Sequence, residues 1–287
     1  VVLVFYTGSF IFSKKVGLLS ALLFAVSFER SEYSIFFGHP ALGDFTVLIF
    51  YFGLALWFYK NDVKGFIIAS LGLGLTIQFE DANLTLFLSL LAYLILFRSK
   101  IKLLNFRIVT SGLLVFCLST VTFILSEIKY DFRMSKALLE VASKSTSHSF
   151  NIQYLVPPLI LIFCVMGFLW MIMKKEFRQK GIFLTVWFSG GMLPQLLNPS
   201  FTYYYSPGAT VSLLILAAFF GNILSKKNKV FAIFLIGIII FHNLFLVVTE
   251  NHKGPNPNIV IQAGMLTFSQ RQALDYIYEK AQGQPFS

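Results

Sequence analysis

The residues best suited to chemistry sit close together in Phe28 to Asp44, FERSEYSIFFGHPALGD, where Glu29, Arg30, Glu32, His39 and Asp44 share seventeen positions. Carboxylates, an imidazole and a guanidinium at that density can take a proton from a nucleophile and steady an anionic leaving group. The same residues can also be solvated helix caps, with Glu29 and Glu32 paired to Arg30. A second polar turn, Gln78 to Asn83, brings Gln78, Glu80 and Asp81 together. A third stretch, LPQLLNPSFTYYYSPG, carries Tyr203, Tyr204 and Tyr205 between prolines. It reads as an aromatic belt or as a rim that stacks on a ring or guides a lipid headgroup.

The elements around these turns are apolar. Over 287 residues the mean hydropathy is +0.75, 13% of residues are charged and 34 are Phe. Soluble chains carry about twice that share of charge. Apolar runs separated by short polar loops predict an all-α, polytopic membrane protein. Ten such segments can be drawn: 1–12, 16–28, 44–59, 65–79, 84–97, 108–126, 154–173, 181–197, 205–224 and 230–249. The first would rise about 18 Å, short of a hydrocarbon core of about 30 Å, so a fragment lacking its true N-terminus is expected. A helical domain over 1–249 would then be followed by the start of a water-facing region at 250–287.

The net charge of +10 would suit nucleic acid, but the placement of the basic residues argues otherwise. Fifteen of the 23 Lys and Arg fall in loops 13–15, 60–64, 98–107, 174–180 and 225–229. The positive-inside rule places that set in the cytoplasm. Loops 29–43, 80–83, 127–153 and 198–204 and the tail 250–287 are then extracytoplasmic, and so is the Phe28–Asp44 cluster.

Within this frame Gly65, Gly72 and Gly74 predict close helix packing. MSKALLEVASK predicts a short surface helix in the 127–153 loop. Pro157-Pro158 opens a span, while Pro194, Pro199 and Pro207 are expected to break helices. Asn258 to Ala263 could form a short strand, and Thr267 with Gln270 makes a capping box for a helix to about Gln282. Cys117 and Cys164 lie in apolar runs and are expected to be reduced packing residues. His39, His148, His242 and His252 are scattered, and His242 is expected to be a satisfied packing residue. No Walker loop, GxGxxG, HExxH or Cys/His metal spacing is present.

Several runs carry a resemblance. SKKVGLLSALLFAVSF, a polar turn and HPALGDFTVLIFYFGLALWFYK resemble the third and fourth spans of polytopic glycosyltransferases of the GT-C class. They are most similar to the bacterial branch of protein O-mannosyltransferases and the aminoarabinose transferase of lipid A. LGLGLTIQFEDANLTLFLSLLAYLIL resembles the following Gly-rich hairpin, TYYYSPGATVSLLILAAFFGNIL the late aromatic-Pro span, and QRQALDYIYEKAQGQPF the start of the outer C-terminal domain. The resemblance implies transfer of a sugar from a polyprenyl-phosphate donor to a lipid, glycan or protein acceptor on the outer face. Asp44 matches the acidic residue that opens the fourth span. It implies a principal carboxylate, and any divalent cation, in a first outer loop upstream of Val1. Asp44 and His39 are then the catalytic candidates, and Arg30, Glu29, Gln78, Glu80 and Tyr204 the substrate-binding ones. Glu80 departs from the basic or His residue common in relatives. The alternative from another class is a transporter or flippase for a lipid-linked or anionic solute.

Overall fold

The computed structural model describes residues 1–27, 39–79, 81–143, 155–197, 207–250 and 267–281. Every regular element among them is helical. In an apolar solvent a backbone finds no outside partner, and the helical ladder satisfies each N–H and C=O within one segment. α1 is Val2–Ile11, α2 Lys14–Ala25, α3 His39–Lys60 and α4 Lys64–Phe79. A 3₁₀ turn, Asp81–Thr85, leads to α5, Leu86–Leu96, and the short α6, Arg98–Ile101. α7 is Phe106–Lys129, α8 Arg133–Ser143, α9 Pro158–Met173 and α10 Arg178–Leu197. α11 is Pro207–Lys227, α12 Lys229–Glu250 and α13 Thr267–Ala281.

All ten apolar segments of the sequence become helices, but fewer reach the length of a span. Leu42–Lys60, Phe106–Lys129, Gly208–Lys227 and Lys229–Leu246 are long and apolar enough to cross a membrane. α9 and α10 add a fifth candidate only if the 111° bend between them lies within one broken span. The apolar helices α1, α4 and Asn83–Leu96 are 10–17 residues long.

α11 forms the centre, packed by α9, α10, α2 and α12 and touching α3 and α1. α3 packs on α4, and α4 carries α7 on its other side. Lipid tails give no hydrophobic drive for helices to associate, so close backbone approach has to supply the contact. Glycine allows it here. A Cβ on Gly72 would strike the backbone N of Phe50 on α3, and one on Gly74 would strike Ser119 on α7. Buried hydroxyls turn inward on their own helices, as where Thr76 Oγ1 donates to the Gly72 carbonyl at 2.6 Å and Ser20 Oγ to Val16 at 2.8 Å.

The five basic junctions meet at one end. Lys60 Nζ lies 5.3 Å from the Phe10 ring and Lys180 Nζ 5.2 Å from the Phe12 ring. Trp57 Nε1 donates to the Lys100 carbonyl at 3.3 Å, and the Tyr59 hydroxyl to that of Gln179 at 3.4 Å. Lys227 Nζ sits 4.7 Å over Trp170. Four helices that start at this end, α2, α4, α7 and α12, are capped by side-chain oxygens of Ser13, Asp62, Asn105 and Asn228, each accepting a backbone N–H. Three helices that start at the other end use proline in the first two positions: Pro40 in α3, Pro158 in α9 and Pro207 in α11. Proline has no N–H to satisfy and its φ is already helical.

Several expectations change. Pro194 lies inside α10 and does not break it. It falls three residues before the helix ends, so the one ladder bond lost with its N–H lies where the helix is already stopping. His39 starts a helix where a loop to residue 43 was expected, because Pro40 fits the first turn. Cys164 is buried and its Sγ donates to the Leu213 carbonyl at 3.1 Å, but Cys117 faces outward on α7. His242 also faces outward, and its neighbour Asn243 is the buried residue, donating to the Ile239 carbonyl at 2.9 Å. The surface helix appears as α8, and α13 covers Thr267–Ala281, where a helix to about Gln282 was expected. The Asn258–Ala263 strand, Pro199, His148 and His252 lie outside the described residues.

Candidate functional site

The end opposite the basic junctions is built from the starts of α3, α5 and α11 and the end of α10. Three close approaches fix it. Gly208 of α11 lies against Val47 of α3 and the Trp187 indole of α10, Gly191 against the Ala209 backbone, and Gly190 against Ser89 of α5. Beneath lies Tyr51, stacked on Trp187 with ring centroids 4.3 Å apart and donating its hydroxyl to the Trp187 carbonyl at 3.3 Å.

Above that floor buried polar side chains collect: Thr46, Asn83, Gln195 and Thr210. Gln195 is 5% exposed, and among the described residues neither atom of its amide has a hydrogen-bond partner. The Thr210 hydroxyl and the Trp187 indole N–H are also unpaired among them. Each such group costs about 1–3 kcal/mol when left unmade, so buried polar atoms are ordinarily satisfied. Ser89 Oγ at the same junction and Ser9 Oγ of α1 are unpaired among the described residues as well.

Asp44 is half-buried in the second turn of α3. α3 begins five residues earlier at His39, and no acid lies in its first turn. A capping carboxylate must sit before the helix or within that first turn. Asp44 sits past both. One turn further along, Val47 touches Gly208, so Asp44 lies at the rim of the α10–α11 junction.

Gln78 is at the same level. Phe50 and Gly72 touch across α3 and α4. Asp44 stands six residues before the one and Gln78 six after the other, each about 9 Å further along its helix. The Gln78 carbonyl oxygen accepts the Thr122 hydroxyl at 2.7 Å and the Phe123 N–H at 3.1 Å, tying α4 to α7. His39 is the first residue of α3. Glu29, Arg30, Glu80 and Tyr204 lie outside the described residues. Among the described residues no three His, Cys, Asp or Glu side chains come together to hold a metal ion.

One further carboxylate was not picked out from the sequence. Glu127, 4% exposed, ends α7 and accepts the N–H groups of Met134 at 3.1 Å and Ser135 at 2.9 Å, as well as the Ser135 hydroxyl. Its carbonyl accepts the Phe132 N–H at 2.7 Å across a turn in which Asp131 and Phe132 have φ of 53° and 58°. Glu127 thereby caps α8, which packs on the Asp81–Thr85 turn beside the site. The sequence held no signal for this, because the bond spans a turn that forces two non-glycine residues to positive φ.

No protein-family model, no curated protein and no solved structure matches the chain. A functional reading therefore rests on its own residues.

Proposed function

We propose that this is a membrane glycosyltransferase, moving a sugar from a polyprenyl-phosphate donor to an acceptor at the end of the bundle opposite its basic junctions. One observation carries the reading. Asp44 is a half-buried carboxylate beyond any capping position, beside a junction of unpaired buried polar groups. In the transfer an acceptor hydroxyl attacks the anomeric carbon as the bond to the phosphate oxygen breaks. The bonding electrons leave with the polyprenyl phosphate, and the acceptor proton passes to a carboxylate. Asp44 is the group we assign to receiving that proton or holding the acceptor. His39, Arg30, Glu29, Gln78, Glu80 and Tyr204 are its proposed neighbours, with Arg30 on the phosphate. Among the described residues no three His, Cys, Asp or Glu side chains gather for a divalent cation, so any cation would need ligands from outside them.

The convergence of the five basic junctions supports a ten-pass arrangement with that end in the cytoplasm. Each helix between two junctions then runs from one end to the other, including those shorter than a full span. The 111° turn between α9 and α10 favours a second reading, a transporter with a broken span. Lys174 and Lys175 sit at that turn, however, which suits a surface junction better than a midplane one. Release of sugar from a radiolabelled polyprenyl-phosphate hexose, by the full-length protein in liposomes, tests the proposal. Release supports the transferase. No release with any donor, alongside flux of an anionic solute, supports the transporter.

A further inference from the structure

We infer that the trough between α9, α10 and α11 seats one anionic phospholipid from the leaflet on the basic side. The 111° turn at Lys174 splays α9 from α10, and Leu213 and Leu216 of α11 close the back of the gap. Two cavities of about 320 and 520 Å³ adjoin there, sharing Phe168, Met171, Gly181 and Thr185. The larger opens at Arg178.

The lining suits hydrocarbon. Its few polar atoms are already engaged: Thr185 Oγ1 with the Gly181 carbonyl at 2.9 Å, Ser212 Oγ with Ala209 at 2.7 Å and Cys164 Sγ with Leu213 at 3.1 Å. Nothing polar is left for water or for a polar ligand to satisfy. From Arg178 to Phe188 the wall of α10 runs ten residues, about 15 Å, which is half of a hydrocarbon core of about 30 Å. The trough is one leaflet deep. Cavities of these volumes admit acyl chains and not a partner helix about 10 Å across.

The mouth supplies the charge. Lys174 Nζ at 5.8 Å and Lys227 Nζ at 4.7 Å from the Trp170 ring, on the face of α9 turned away from both cavities, mark the headgroup level. Arg178 is the basic residue that lines the larger cavity, and Lys174 and Lys175 precede it in the same junction, with Glu176 its single acid. A guanidinium at the mouth of an apolar slot can hold a phosphate through two parallel N–H bonds while the tails fill the slot. The seat lies at the end away from Asp44 and is independent of the transferase reading.

The test uses the full chain in nanodiscs of equal phosphatidylglycerol and phosphatidylcholine, released into native mass spectrometry to identify retained lipid. The wild type is expected to keep one phosphatidylglycerol with several-fold preference over phosphatidylcholine. The double substitution Arg178→Gln, with Lys174→Gln to lower the charge of its junction, should bring that ratio to about one. Filling the slot with Thr185→Trp should reduce retention of both lipids. Val165→Trp, from the opposite and exposed wall, serves if the first variant does not fold. Equal retention of both lipids by the wild type would overturn the inference, as would a preference that survives the double substitution or undiminished retention in a filled slot.

Discussion

The two ends of this bundle finish their polar groups in opposite ways. At the basic end Ser13, Asp62, Asn105 and Asn228 cap helices. There Trp57, Tyr59 and Tyr93 each donate to a backbone carbonyl, Tyr93 to Phe183 at 2.7 Å. Their rings merge into one cluster in which Phe183 meets Tyr93 at 4.9 Å and Phe58 stacks on Phe97 at 4.8 Å. At the other end three helices open on prolines, which ask for no cap, Glu127 caps α8, and Gln195 and Thr210 are buried with polar atoms unpaired among the described residues. Most side-chain caps gather at one end, and the candidate carboxylate Asp44 lies at the other.

The most damaging way to test that division is to remove its aromatic hub. Phe183→Ala should cost about 3 kcal/mol, read as a lowered thermal midpoint in detergent, with the transfer rate per folded molecule little changed. A matching loss of rate in the folded fraction would erase the division. Tyr93→Phe is milder, because it removes one hydrogen bond and keeps the ring. We expect a loss of about 1 kcal/mol and a midpoint lower by about 2–4 °C. Gln195→Leu sharpens the contrast from the far end. Replacing an unpaired buried amide with an apolar group should leave the midpoint unchanged or raise it, while transfer falls. An unaltered rate would make Gln195 a packing residue.

Much of this architecture was legible in sequence. The ten apolar runs became ten helices, Pro158 opened a helix, a further helix starts at Thr267, and Gly72 and Gly74 mark close approaches. These signals are local: each depends on residues within a turn or on the absence of a side chain. The site was less legible. Asp44 stood out as an acid beside an apolar run, but its position in the second turn depended on where the helix begins, and Pro40 moved that point five residues upstream. Trp187, Gln195 and Thr210 read as ordinary members of apolar runs. Only the meeting of α10 with α11 shows that their polar atoms share one junction. Glu127 was hidden for a similar reason, since its partners lie across a turn of unusual backbone conformation. His242 drew attention as an ionisable residue in a span, although the buried polar side chain was its neighbour Asn243.

The most direct test of the central claim pairs two readings on Asp44→Asn in the full-length protein: sugar transfer from a polyprenyl-phosphate hexose in liposomes, and the thermal midpoint. The substitution keeps the side-chain shape and removes the charge. A site carboxylate predicts transfer lower by about 100-fold or more with the midpoint unmoved. Normal transfer, or a loss that only follows a falling midpoint, would contradict the account and return Asp44 to the fold.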